Sequence, residues 1–124
     1  MEPLGAALAF CVPMADGGAV PTQVVEAYIE AYNRHDAAGI AKVFTADAEI
    51  IASGFDSTAE VVVARYRDNV FPRFPKVRLR IVEQVAAKDM VAQTETVTGI
   101  GESETGLSAY RVEGGCIVSM TFSK

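Results

Sequence analysis

The chain has 124 residues, of which 50% are hydrophobic and 22% charged, and its 11 Lys and Arg against 16 Asp and Glu give a net charge of −5. That length is one domain's worth of core, and the apolar share excludes an intrinsically disordered chain. The acidic balance excludes the basic face that nucleic-acid binding requires.

The first apolar run, Leu4 to Val12, is too short to span a bilayer, which takes about 20 residues. Met1-Glu2-Pro3 precedes it, acidic where a secretory signal carries Lys or Arg. Leu8-Ala9-Phe10-Cys11 is similar to a lipoprotein cleavage box, except that a bulky Phe stands before the Cys, and Met14 offers a second start. Residues 1–20 are therefore expected to be a flexible or leader segment, 21–124 the folded domain, and the protein cytoplasmic, with no membrane or nucleic-acid partner. In that setting Cys11 and Cys116 are expected to stay unpaired, because structural disulfides are rare in reducing compartments. With His35 the sole histidine, no zinc ligand set is available.

Pro21-Thr22 opens a helix with Thr22 as its N-cap, placing Val24, Val25, Tyr28, Ile29 and Tyr32 on one stripe and pairing Glu30 with Arg34. Asn33-Arg34-His35-Asp36 ends it, with His35 a solvated turn residue and Asp36 capping a second helix that carries Ile40, Val43 and Phe44. A short extended piece, Ala48 to Ala52, follows. Ser57-Thr58-Ala59-Glu60 has the form of a capping box, starting a third helix with Val62, Val63, Tyr66 and Val70 buried and Pro72 as its stop. Phe71-Pro72-Arg73-Phe74-Pro75 is a stiff aromatic loop that either closes over a pocket or plugs the core.

From Lys76 the apolar period becomes two, with Val77, Leu79, Ile81 and Val85 on one face and Glu83 interrupting it, which a β-bulge would turn outward. Met90 to Ile100, Leu107 to Glu113 and Cys116 to Phe122 complete a four-stranded antiparallel meander, its last turn the Gly114-Gly115 hairpin. The sum is an α+β domain with three helices on one face of the sheet.

Tyr28-Ile29-Glu30-Ala31-Tyr32-Asn33-Arg34-His35-Asp36, then Phe44-Thr45-Ala46-Asp47-Ala48, and at the end Val97-Thr98-Gly99 and Ala109-Tyr110-Arg111-Val112-Glu113-Gly114-Gly115-Cys116-Ile117, resemble SnoaL-like and ketosteroid-isomerase-like proteins of the nuclear-transport-factor-2-like superfamily. The resemblance runs over about residues 21–124. It implies a cystatin-like, cone-shaped fold with three N-terminal helices inside a curved antiparallel sheet and a pocket at one end. It also implies isomerase-, cyclase- or dehydratase-type proton transfer, or a non-catalytic binding role, since one fold hosts many chemistries. Tyr28 matches the oxyanion tyrosine of ketosteroid isomerase and Tyr66 a supporting tyrosine, while Ala52 and Ser108 stand at that enzyme's aspartate base and acidic oxyanion partner. The resemblance further implies homodimerisation through the outer sheet face.

Along Met90 to Thr98, Val91, Gln93, Glu95 and Val97 share one face and Ala92, Thr94, Thr96 and Thr98 the other. With the threonines outside, Gln93 and Glu95 face the cavity; alternatively Glu95 pairs with Arg78 or Arg80 on an exposed face. Carboxylates enclosed by apolar walls suit general acid–base chemistry near neutrality. Glu95 and Tyr28 are thus the candidate catalytic residues. Phe44, Tyr66, Phe71, Phe74, Gln93, Ser108, Tyr110, Met120 and Phe122 are candidates to line a pocket for an apolar small molecule. No metal, nucleotide, flavin or haem signature is present, as Gly99-Ile100-Gly101 lacks both the third glycine and the following helix of a phosphate loop.

Overall fold

The structure, a computed structural model, describes residues 8–124. Helices α1 (Pro21–Asn33) and α2 (Ala37–Ala41) come first, then strands β1 (Phe44–Ala52) and β2 (Phe55–Thr58). Helix α3 (Ala59–Arg65), a π-helical turn (Tyr66–Val70) and the short α4 (Phe71–Arg73) follow. Strands β3 (Arg78–Ala87), β4 (Met90–Thr98), β5 (Glu104–Glu113) and β6 (Cys116–Ser123) close the chain. The sheet has six strands rather than four, in the order β2-β1-β6-β5-β4-β3. β1 lies parallel to β6, and the other neighbours pair antiparallel. Two strands therefore intervene between the second and third helices.

Helix α1 buries Val24, Val25, Tyr28, Ile29, Ala31 and Tyr32, the stripe expected from its sequence with Ala31 added. It starts at Pro21, whose missing N–H costs nothing at a first position, so Val20 is the N-cap and Thr22 lies inside the first turn. Arg34 lies past the helix end and meets Asp36 at 3.8 Å instead of Glu30. Asp36 caps α2 as expected, accepting from the Gly39 N–H at 3.0 Å.

The turn between these helices anchors β3. The Asn33 amide donates to the Leu79 carbonyl at 2.9 Å and accepts from the Leu79 N–H at 2.7 Å. His35, expected in solvent, is half-buried: its Nε2 lies 2.9 Å from the Val77 carbonyl oxygen and its ring stacks on Phe71 at 4.6 Å.

Ser57 belongs to β2, opposite Ile50, and makes no cap; Thr58 takes the N-cap position without a side-chain bond. Pairing with β1 fixes residues 55–58 as strand and overrides the capping-box pattern. Pro72 does not end the helical run either. The π-helical turn lets Pro72 enter at the start of a fresh turn, where a missing N–H is tolerated.

The register of β3 slips between Ile81 and Glu83, inserting Val82 as an extra residue. An unbroken register would set Glu83 against Gln93 on the inner face. The bulge instead sets Glu83 opposite Thr94 and Gln84 opposite Gln93. The same slip carries Val85 outward, where it is 71% exposed rather than in the core. A second slip, between Arg111 and Val112, breaks the alternation in β6, so Cys116, Ile117 and Met120 are all buried.

Residues 8–20, expected to be flexible or leader, lie against the domain. The Cys11 N–H donates to the Ala41 and Phe44 carbonyls at 3.1 and 2.9 Å, and the Met14 N–H to the Gly114 carbonyl at 2.8 Å. Cys11 and Cys116 form a disulfide, which corrects the expectation of unpaired thiols. The segment crosses the Gly114-Gly115 turn so closely that a Cβ on Gly114 would sit 2.6 Å from the Met14 nitrogen, so only glycine fits there. Residues 1–7, including the start of the early apolar run, lie outside the described part.

Candidate active site

All six strands, with α1, α3 and the π-helical turn, contribute to a cavity of about 240 Å³ at one end of the sheet. Its wall is mostly aliphatic and aromatic: Ile50, Val62, Leu79, Val97, Met120 and Phe122. Gly106 makes room for the Phe122 ring, since a Cβ there would lie 2.7 Å from a ring carbon. Phe55, 75% exposed, and Arg65, also exposed, flank the mouth.

Into this wall the inner face of β4 brings Glu95, 3% exposed. Its Oε2 accepts from Gln93 Nε2 at 2.6 Å and from the Tyr110 hydroxyl in a short hydrogen bond. Gln93 is itself held by Gln84, whose Nε2 donates to Gln93 Oε1 at 2.9 Å. The bulge in β3 supplies that amide in place of the Glu83 carboxylate, which would have repelled Glu95. Glu95 Oε1 has no hydrogen-bond partner among the described residues, yet it is not one of the fully enclosed unpartnered atoms; it therefore opens onto the cavity. Neither Arg78 nor Arg80 pairs with Glu95, so the exposed ion-pair alternative is set aside.

Tyr28 and Tyr66 supply a second polar feature, their hydroxyl oxygens 3.4 Å apart on the cavity wall. Burial holds Tyr28 well above the ordinary tyrosine range, and the neighbouring Tyr66, Tyr110 and Glu95 push the same way. Burial also raises Tyr66, opposed by its hydrogen bond to Tyr28. Tyr110 is raised by burial and then by the Glu95 carboxylate it serves. These phenols are therefore neutral donors. Ser108, 1% exposed, lines the cavity, and its Oγ has no hydrogen-bond partner.

Of the candidate residues, Glu95, Tyr28, Tyr66, Ser108, Met120 and Phe122 lie on the cavity wall, as does Ala52. Five others do not. Gln93 and Tyr110 stand behind Glu95 and hold it. Phe44 packs edge-on beneath Tyr28 with ring centres 5.1 Å apart. Phe71 plugs the core against Tyr32 and His35, and Phe74 packs half-buried against the core, with the Arg73 guanidinium 5.4 Å from its ring centre. The aromatic loop is thus a core plug rather than a cover. Tyr32 lines the cavity one helical turn from Tyr28, a position its sequence stripe already pointed to. Arg65 and Phe55 have no such signal. Among the described residues no group of three or more His, Cys, Asp or Glu could hold a metal ion.

The profile of the SnoaL-like domain matches residues 25–120. The chain belongs to the SnoaL-like domain family. Its fold is shared by an uncharacterised cystatin-fold protein from Novosphingobium aromaticivorans, with a TM-score of 0.78 and 22% identity over 86% of this chain and 100% of that one. IdmH of Streptomyces antibioticus, a candidate polyketide cyclase, superposes with a TM-score of 0.73 at 19% identity over 83% of this chain and 90% of its own. A candidate polyketide cyclase from Sinorhizobium meliloti gives 0.71 at 17% identity, over 82% and 94%. No curated protein matches the chain. In this SnoaL-like domain Ala52 and Ser108 give the wall no carboxylate, and among the described residues Glu95 is the only acidic one lining the cavity.

Proposed function

We propose that this SnoaL-like domain is a small-molecule enzyme that moves a proton on an apolar carbonyl compound held in a conical pocket. One observation carries the reading: a single buried carboxylate, Glu95, offers an unpartnered oxygen to an apolar cavity that also presents the neutral Tyr28–Tyr66 hydroxyl pair. Glu95 Oε1 takes a proton from the carbon next to the carbonyl. The electron pair moves into the carbonyl, and Tyr28 or Tyr66 hydrogen-bonds the resulting enolate oxygen. Return of the proton to the same or a conjugated carbon completes isomerisation or prepares ring closure. The polyketide-cyclase descriptions of two structural relatives support this class of chemistry.

The test has two steps. Native mass spectrometry of the purified protein seeks a retained apolar ligand, and deuterium wash-in from solvent next to its carbonyl is then followed by NMR. Wild-type protein should catalyse exchange and Glu95→Gln should not; equal exchange by both removes the reading. Ala52 and Ser108, standing where carboxylates act in ketosteroid isomerase, favour a second reading, a binding module without turnover. Tight ligand retention with no exchange in the wild type selects it.

We also infer a homodimer through the outer sheet face, supported by the exposed Val85 and Leu107 beside Ala92 and Ala109. Sedimentation that gives a monomer for wild type, or an unchanged dimer for Leu107→Asp, counts against it. The described residues hold no helix long and apolar enough to cross a membrane. The Cys11–Cys116 disulfide supports maturation in an oxidising environment and weighs against the cytoplasmic expectation.

A further inference from the structure

The polar groups of the cavity are unevenly placed. Deep in the wall, Glu95 Oε1 accepts nothing from the protein, and the Tyr28–Tyr66 hydroxyl pair stands on the same cavity. A ligand oxygen accepts from Tyr28 or Tyr66, which leaves Glu95 Oε1 free for the carbon-bound proton. At the mouth the one cation on the cavity wall is Arg65, in the last turn of α3, which makes no ion pair among the described residues. Nearby Arg67 is committed to Asp68 at 2.7 Å and does not compete. The rest of the lining is mostly apolar.

We propose that the ligand is a small oxo or hydroxy acid of about one ring, its carbonyl or hydroxyl oxygen at the Tyr28–Tyr66 pair and its carboxylate at Arg65. The size follows from the volume, since a cavity of about 150 Å³ holds benzene and this one encloses about 240 Å³. The polarity follows from charge. Glu95 repels an anion at the deep end, and Arg65 attracts one at the mouth, so an acid enters with its ring first. This rests on reading the cavity as the ligand site, and the experiment separates the two ideas.

The probes are 4-hydroxyphenylacetate and its neutral amide, titrated calorimetrically into the full chain. Wild type should bind the acid about two- to fivefold more tightly than the amide, the range for an ion pair at a solvent-washed mouth. Arg65→Gln should bring that ratio to one. Arg80→Gln, which removes the same charge from the exposed β3, should leave the ratio intact. Tyr28→Phe should weaken both probes by a similar factor. If the amide binds as well as the acid in wild type, or Arg80→Gln lowers the ratio as much as Arg65→Gln, the carboxylate assignment falls while the pocket reading stands. If neither probe binds, both fall.

Discussion

The two faces of β4 have nearly the same polarity in sequence and opposite fates in the fold. Outward, Thr94, Thr96 and Thr98 are half-exposed, and Thr96 meets Thr105 across the sheet at 2.9 Å. Inward, Gln93 and Glu95 are buried at 1% and 3% exposure and joined to Gln84 and Tyr110 by hydrogen bonds. Water can replace any partner lost on the outer face, whereas on the inner face every partner comes from the protein. A polar residue on the wet side is therefore nearly neutral for folding. The same residue inside is tolerated only within a network, and the one atom that network leaves open is available for chemistry.

The largest break in that contrast is expected at Glu95. Replacing it with Gln keeps the shape and removes the base, and loss of positioned proton transfer costs about 10²–10⁴-fold in rate. Exchange next to the ligand carbonyl, measured by NMR, should fall by that factor in Glu95→Gln and stay unchanged in Thr94→Val. Equal rates in the two variants would mean that inside and outside are chemically alike.

Next in size is the disulfide that ties residues 8–20 to the sheet. It joins positions 105 apart, and a disulfide typically stabilises a fold by about 2–4 kcal/mol. Cys11→Ala should lower urea-unfolding stability by that amount, and a reductant should destabilise wild type but not the variant. Stability insensitive to reductant would show that backbone contacts alone hold the segment.

The inner face also carries an alkaline signature. Tyr28, Tyr66 and Tyr110 titrate above their ordinary range because burial penalises the phenolate. For such raised groups the unfolded chain loses its protons first. The stability contributed by their neutral forms is complete below about pH 10 and is lost as pH rises from there through the folded values. Ultraviolet titration should show these phenols ionising only with the unfolding transition. Smooth ionisation near pH 10 while the fold persists would place them in contact with water.

The sequence carried the period of the sheet well. Alternation in β4 separated Gln93 and Glu95 from the threonines, and the interrupting Glu83 signalled the bulge in β3. Its reach ended where structure depends on distant partners. Strand β2 is four residues held by β1, too short to outweigh the capping pattern at Ser57 and Glu60. The segment carrying Cys11 has no periodicity, and its partner is 105 residues away. Arg65 lies in an ordinary helical last turn, and only the assembled cavity makes it the cation at the mouth. The loop carrying Phe71 and Phe74 read equally as a lid or a core plug, because proline spacing describes stiffness and not direction.

The finest test of the two faces pairs Gln93→Leu with Thr96→Val. Each removes a hydrogen-bonding group from β4 and leaves an apolar side chain of similar size. Outside, Thr105 recovers its bond from water, so Thr96→Val should change stability by less than about 0.5 kcal/mol, the usual range for a surface substitution. Inside, Gln93→Leu removes one of the two donors to Glu95 Oε2 and also the acceptor of the Gln84 amide. Gln84 is exposed and can turn to water. Glu95 cannot, and an under-satisfied buried acceptor costs about 1–3 kcal/mol. Chemical unfolding of both variants measures the difference. If the two costs are equal, the amide chain behind Glu95 is ornamental to folding, and Tyr110 alone holds the carboxylate in place.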